Sequence, residues 1–112
     1  MNEQLRQSVR EIVELLANGE YIVVERLTNG VRLTAGEMAK AISDYGRHLV
    51  IPPGNAFDLM DMVEVRDAQP PRWSITVPLW TQEEGRSDLS LELTLIGGQK
   101  PFGVELDDIH VL

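Results

Sequence analysis

Residues 73–96 read WSITVPLWTQEEGRSDLSLELTLI, and this stretch decides the fold. Trp73, Ile75, Val77 and Leu79 occupy every second position, with Ser74, Thr76, Pro78 and Trp80 between them. Leu89, Leu91, Leu93 and Leu95 do the same against Ser90, Glu92, Thr94 and Ile96. A period of two places each apolar set on one side of an extended strand, so both sets belong to a core. The polar stretch Gln82-Glu83-Glu84-Gly85 lies between them and turns the chain. Two long strands this close in sequence make an antiparallel hairpin.

Beyond the hairpin, Gly97-Gly98 marks a turn, and Phe102, Val104 and Leu106 resume the alternation. Asp107-Asp108 then shifts the phase to Ile109 and Val111, which predicts a β-bulge at the two aspartates. Before the hairpin, Pro70-Pro71 closes a run that starts near Phe57. Within that run Leu59, Val63 and Val65 interleave with Met60 and Met62, which predicts a strand buried on both faces or one carrying a bulge. Residues 48–51 read as a short strand, which Pro52-Pro53-Gly54 breaks because two prolines remove the amides a ladder needs.

The first third changes period. Leu5, Val9, Ile12, Val13 and Leu16 line one face of a helix that Asn18-Gly19 ends. Residues 20–28 fit two forms: Tyr21, Val24 and Leu27 have helical spacing, while Ile22-Val23-Val24 is a β-branched run suited to a strand, and the balance leans to helix. Thr34 and Glu37 have the spacing of a capping box, followed by Met38, Ala41, Ile42 and Tyr45 on one helical face and Gly46 as the stop. N-terminal helices followed by an antiparallel β-meander of four to five strands define an α+β class.

At 112 residues with 43% hydrophobic content, residues 1–112 form one domain with one core. Cys is absent, so the fold rests on packing without disulfides or thiolate metal sites. The start lacks a signal-peptide pattern and no apolar run spans a bilayer, which predicts a cytoplasmic protein that does not engage membranes. The net charge of −8 is carried mostly by residues 51–112, where eleven acids face four bases, while residues 1–50 hold seven acids and six bases. Such a balance repels nucleic acid, whose binding relies on Lys and Arg at phosphates, and attracts a basic protein.

The order of elements resembles the nuclear transport factor two-like fold, in which helices pack into the concave side of a curved sheet whose long strands come last. The stretch Leu79 to Leu89, reading LWTQEEGRSDL, and the closing DDIHVL of residues 107–112 resemble a family of small bacterial proteins of unknown function. That resemblance implies no activity, because such folds host enzymes, ligand pockets and interaction domains alike.

Several side chains compete for a functional role. Trp80, Glu83, Glu84, Arg86, Asp88 and Glu92 cluster in the hairpin as a partner-binding surface, with Trp80 on the face opposite Leu79 as the anchor. The competing structural reading pairs Arg86 with its acidic neighbours to fix the turn and packs Trp80 under a helix. Paired carboxylates also serve glycosidases and metal sites, but Asp58, Asp61 and Asp107-Asp108 match no loop motif, so neither metal nor cofactor is expected. His48 and His110 are the only imidazoles, and His110 with Asp108 or with an acid on a neighbouring strand is the candidate base. The nucleophile elbow, phosphate loop, dinucleotide fingerprint and zinc-helix motifs are missing, so no catalytic residue is assigned. The sequence favours a non-catalytic acidic protein-binding domain, of the kind that neutralises a basic toxin as an immunity protein does. The rivals are a small-ligand pocket protein or small enzyme, and a homodimer formed through the sheet.

Overall fold

The computed structural model describes residues 3–98 and 102–111. Three helices come first: α1 (Glu3–Ala17), α2 (Tyr21–Thr28) and α3 (Ala35–Tyr45). Five strands follow, β1 (Leu49–Val50), β2 (Asp61–Glu64), β3 (Arg72–Thr81), β4 (Gly85–Ile96) and β5 (Gly103–Val111), with a 3-10 helix over Gly54–Leu59 between β1 and β2. All pairings are antiparallel, and β3 is central: β4 lies along one edge, while β1 and β2 share the other, end to end. β5 then pairs with β4. The α+β class read from the sequence is the class observed.

The helical spacing of α1 buries Leu5, Val9, Ile12, Val13 and Leu16 in one core with Ile75, Val77 and Leu79 of β3 and the four alternate leucines of β4. Each such side chain contributes roughly 1.5–3 kcal/mol relative to an exposed one, which is how a chain without disulfides holds three helices on a sheet. Residues 20–28 resolve as helix α2, but its inward face is Val24 and Thr28, and Leu27 is exposed. Thr28 is tolerated there because its hydroxyl donates to the Val24 carbonyl one turn back, at 2.9 Å. The capping box of α3 is present in both directions, Glu37 N–H to Thr34 and Thr34 N–H to Glu37, and Gly46 ends the helix in the left-handed conformation.

The run from Phe57 to Val65 departs from its expected form. Phe57 belongs to the 3-10 helix and is buried, with Met60 buried just after it, whereas Leu59, Val63 and Val65 are 60%, 64% and 42% exposed. Because β2 is an edge strand four residues long, only its Met62 side meets the core, so the run is neither buried on both faces nor a long strand. The expected bulge in β5 is present. Glu92 faces Asp108 and Leu93 faces Leu106, which leaves Asp107 as the extra residue and lets Leu106 and Ile109 both reach the core.

Candidate functional site

The β3–β4 hairpin turns through Gln82, Glu83 and Glu84, and Gly85 adopts φ +74, the left-handed residue that a three-residue hairpin loop requires. Both glutamates reach back to the end of α3 and the start of β1. The backbone N–H of His48 donates to Glu83 Oε1 at 2.9 Å, and the His48 Nδ1 lies 2.6 Å from Oε2. This amide, with the imidazole second, holds the Glu83 carboxyl well below its usual range, at about 2. The Tyr45 hydroxyl donates to both oxygens of Glu84, whose carboxylate also accepts from the Thr81 hydroxyl at 3.1 Å. Burial first and the Glu84 carboxylate second raise the Tyr45 phenol above its ordinary value.

Past the turn, the ladder slips. Trp80 faces Arg86 and Pro78 faces Ser90, so three residues of β4, Ser87, Asp88 and Leu89, stand opposite the single Leu79 of β3. The polar groups of this bulge are satisfied locally, since the Ser87 hydroxyl donates to the Leu79 carbonyl at 2.7 Å and accepts from the Leu89 N–H at 3.1 Å. The two added residues leave the alternation intact, so Arg86 and Asp88 stay on one face and line the same cleft. The cleft holds about 470 Å³ and is lined by Leu59, Asp61, Thr76, Pro78, Arg86, Ser87, Asp88 and Ser90.

The cleft opens on the sheet face turned away from the core. On that face His110 pairs with Glu92, Arg72 lies 3.8 Å from Glu105, and the bulge residue Asp107 accepts from Thr94 at 2.7 Å and lies 3.2 Å from Arg32. The Glu92 contact is the main cause that raises the His110 imidazole above its ordinary value, with Asp108 adding a smaller field. Asp61, Arg86 and Asp88 differ from these: none has an ion-pair partner within 4 Å among the described residues. Beside them β2 turns Val63 outward, one side-chain repeat from Asp61, with Leu59 at the cleft wall.

The residues singled out from the sequence are therefore divided in space. Arg86 and Asp88 line the cleft, Glu83 and Glu84 latch the hairpin to the rest of the fold, and Glu92 sits further along β4 on its histidine. Trp80 is half-buried and lies against Gly85, at 3.8 Å from the position a Cβ would take there, which is between the exposed anchor and the ring packed under a helix. Arg86 forms no ion pair with its acidic neighbours among the described residues. His110 takes its partner across the strands in Glu92, and His48 takes Glu83. From the sequence Asp61 reads only as a metal or glycosidase carboxylate, set aside for want of a loop motif, and Leu59 reads as part of a strand. Their signal was the shared parity of residues 59, 61, 63 and 65, which marks one face of a strand with a carboxylate in its middle. Among the described residues no group of three or more His, Asp or Glu side chains is placed to hold a metal ion, and no helix is long and apolar enough to cross a membrane.

A family model described as a domain of unknown function (DUF7668) matches residues 13–112. Neither a curated protein nor a solved structure matches the chain.

Proposed function

Because the chain belongs to this family of unknown function, no activity comes with its membership, and we propose from its surface that it is a non-catalytic domain that binds a basic protein. The observation that carries the reading is the pairing of outward apolar side chains with unneutralised acids on one sheet face. Leu59 and Val63 are more than half exposed, and Asp61 and Asp88 line the same face without cationic partners among the described residues. Apolar side chains of this kind supply buried area at a contact, while exposed carboxylates in a protein of net charge −8 steer a cationic partner during encounter. An inhibitor of the immunity type, covering a basic toxin, is the role this combination fits. Cytoplasmic location and indifference to nucleic acid and membranes belong to the same proposal.

The test is capture from native lysate by the parent protein and by two variants. Val63→Ser removes an anchor without touching the cleft, and Asp88→Lys reverses the steering charge. A basic protein retained by the parent and lost by Val63→Ser supports the reading, and Asp88→Lys is expected to slow its association about tenfold. An acidic capture, or a basic one that both variants retain unchanged, overturns it. The rival, a pocket protein or small enzyme of nuclear transport factor two-like fold, draws its support from the cleft and from the His110–Glu92 pair. Retention of a small molecule by the purified protein, or turnover lost in His110→Gln, would favour it.

A further inference from the structure

The cleft at the β4 bulge has a charge pattern that a simple acidic surface lacks. Two carboxylates, Asp61 and Asp88, and one guanidinium, Arg86, line the same 470 Å³ space. Elsewhere in this chain opposite charges pair, as Arg6 does with Asp58 and Lys40 with Asp44. Here Arg86 and Asp88 stand two residues apart on β4 and Asp61 at the start of β2, and none of the three pairs within 4 Å among the described residues. Ser90 adds an independent sign. It is only 4% exposed and lines the cleft, and its hydroxyl has no hydrogen-bond partner among the described residues. Its oxygen is open to the cleft, so a ligand group there would take the place of solvent on it.

We propose that this cleft binds a basic α-amino acid of the arginine or lysine class through its free carboxylate and its cationic side chain. The chemistry follows from the three charges. A cation alone would meet Arg86 as a repelling neighbour, and an anion alone would meet two carboxylates. A ligand with a carboxylate at one end and positive charge at the other places the carboxylate on Arg86, whose planar fork of donors suits it, and the cationic end between Asp61 and Asp88. A basic amino acid carries a net charge of +1, which balances the net −1 of the three lining charges. Ser90 and Thr76 offer hydroxyls for the polar atoms, while Leu59 and Pro78 offer apolar wall for the methylene stem. The ligand is either the free amino acid or the last residue of a polypeptide, since both present the same carboxylate and side chain.

This inference stands apart from the docking of a basic protein, because a single basic residue held in the cleft does not need Val63. Titration of the purified protein with L-arginine, followed by amide chemical shifts at low salt, tests it. Saturable shifts confined to residues around Asp61, Arg86, Asp88 and Ser90 are the expected result. Agmatine, which lacks the carboxylate, and citrulline, which lacks the side-chain charge, should each bind about tenfold more weakly, given the strength of charge-assisted hydrogen bonds. N-acetyl-arginine separates the sources: binding equal to arginine assigns a chain end, and much weaker binding assigns the free amino acid. Arg86→Leu should abolish the preference for arginine over agmatine while leaving the fold intact, as an exposed side chain without an ion-pair partner among the described residues allows. Shifts that never saturate, agmatine bound as tightly as arginine, or a preference that survives Arg86→Leu would overturn the proposal. Val63→Ser should leave arginine binding unchanged, so failure of the docking reading and failure of this one are told apart.

Discussion

The hydroxyl of Tyr45, at the last turn of α3, donates to both carboxylate oxygens of Glu84 at 2.8 and 2.9 Å and accepts from the Asp88 N–H at 3.3 Å. One phenol therefore touches the turn of the β3–β4 hairpin and its bulge together, and so positions a wall of the cleft from the helical layer. Tyr45→Phe keeps the ring and removes all three bonds. We expect a lower melting temperature and faster amide exchange at Asp88, with the protection of core amides in Leu91 and Leu93 falling only in step with global stability. Unchanged exchange at Asp88 would show that the latch does not hold the bulge.

Glu83 makes the parallel link to His48, and its depressed pKa has a sign. A carboxyl lowered from 4.5 to about 2 contributes stability that is present above pH 4.5 and lost as the pH falls toward 2. Glu83→Gln should therefore cost stability at neutral pH and cost progressively less toward pH 2, where the parent carboxylate is itself protonated. Carboxyl NMR titration of the parent should place Glu83 below every unpaired glutamate.

The His110–Glu92 pair works in the opposite direction. An imidazole raised from 6.5 by its carboxylate contributes stability that is present below pH 6.5 and drains as the pH rises through the folded value. Glu92 and Asp108 are the carboxylates facing it, and about a third of each paired side chain is exposed, which keeps the effect modest. Thermal melts of the parent and of His110→Gln should differ most near pH 6 and converge by pH 9. A gap that grows with pH would refute the pairing.

The run from Phe57 to Val63 tests the fold itself. Phe57 is 1% exposed beneath Arg10, whose guanidinium lies 5.1 Å from the ring centre, so Phe57→Ala should cost about 3–5 kcal/mol by urea denaturation. Leu59, two residues on, points into the open cleft, and Leu59→Ala should fall within about 0.5 kcal/mol of the parent. Comparable losses at both positions would restore the run buried on two faces.

Local periodicity settled much of this protein before any contact was known. The alternation of Trp73 to Leu79 and Leu89 to Leu95, the phase shift at Asp107-Asp108 and the Thr34–Glu37 box each act within a few residues, where side-chain spacing and backbone geometry are one quantity. The hairpin, the β5 bulge and the cap of α3 were legible for that reason. What depended on neighbours was not. Leu59, Val63 and Val65 look like core until β2 proves to be a short edge strand with one side on solvent. The two-residue slip between Pro78 and Trp80 leaves no mark in the alternation, because an even number of added residues returns every side chain to its own face. Arg86 and Asp88 line the cleft that Asp61 enters from another strand, and Tyr45 and His48 claim Glu84 and Glu83 from positions more than thirty residues away. Charge counts alone show an acidic second half. Only the tertiary structure decides which acids are paired within the molecule and which are not, because pairing is set by distance in space rather than along the chain.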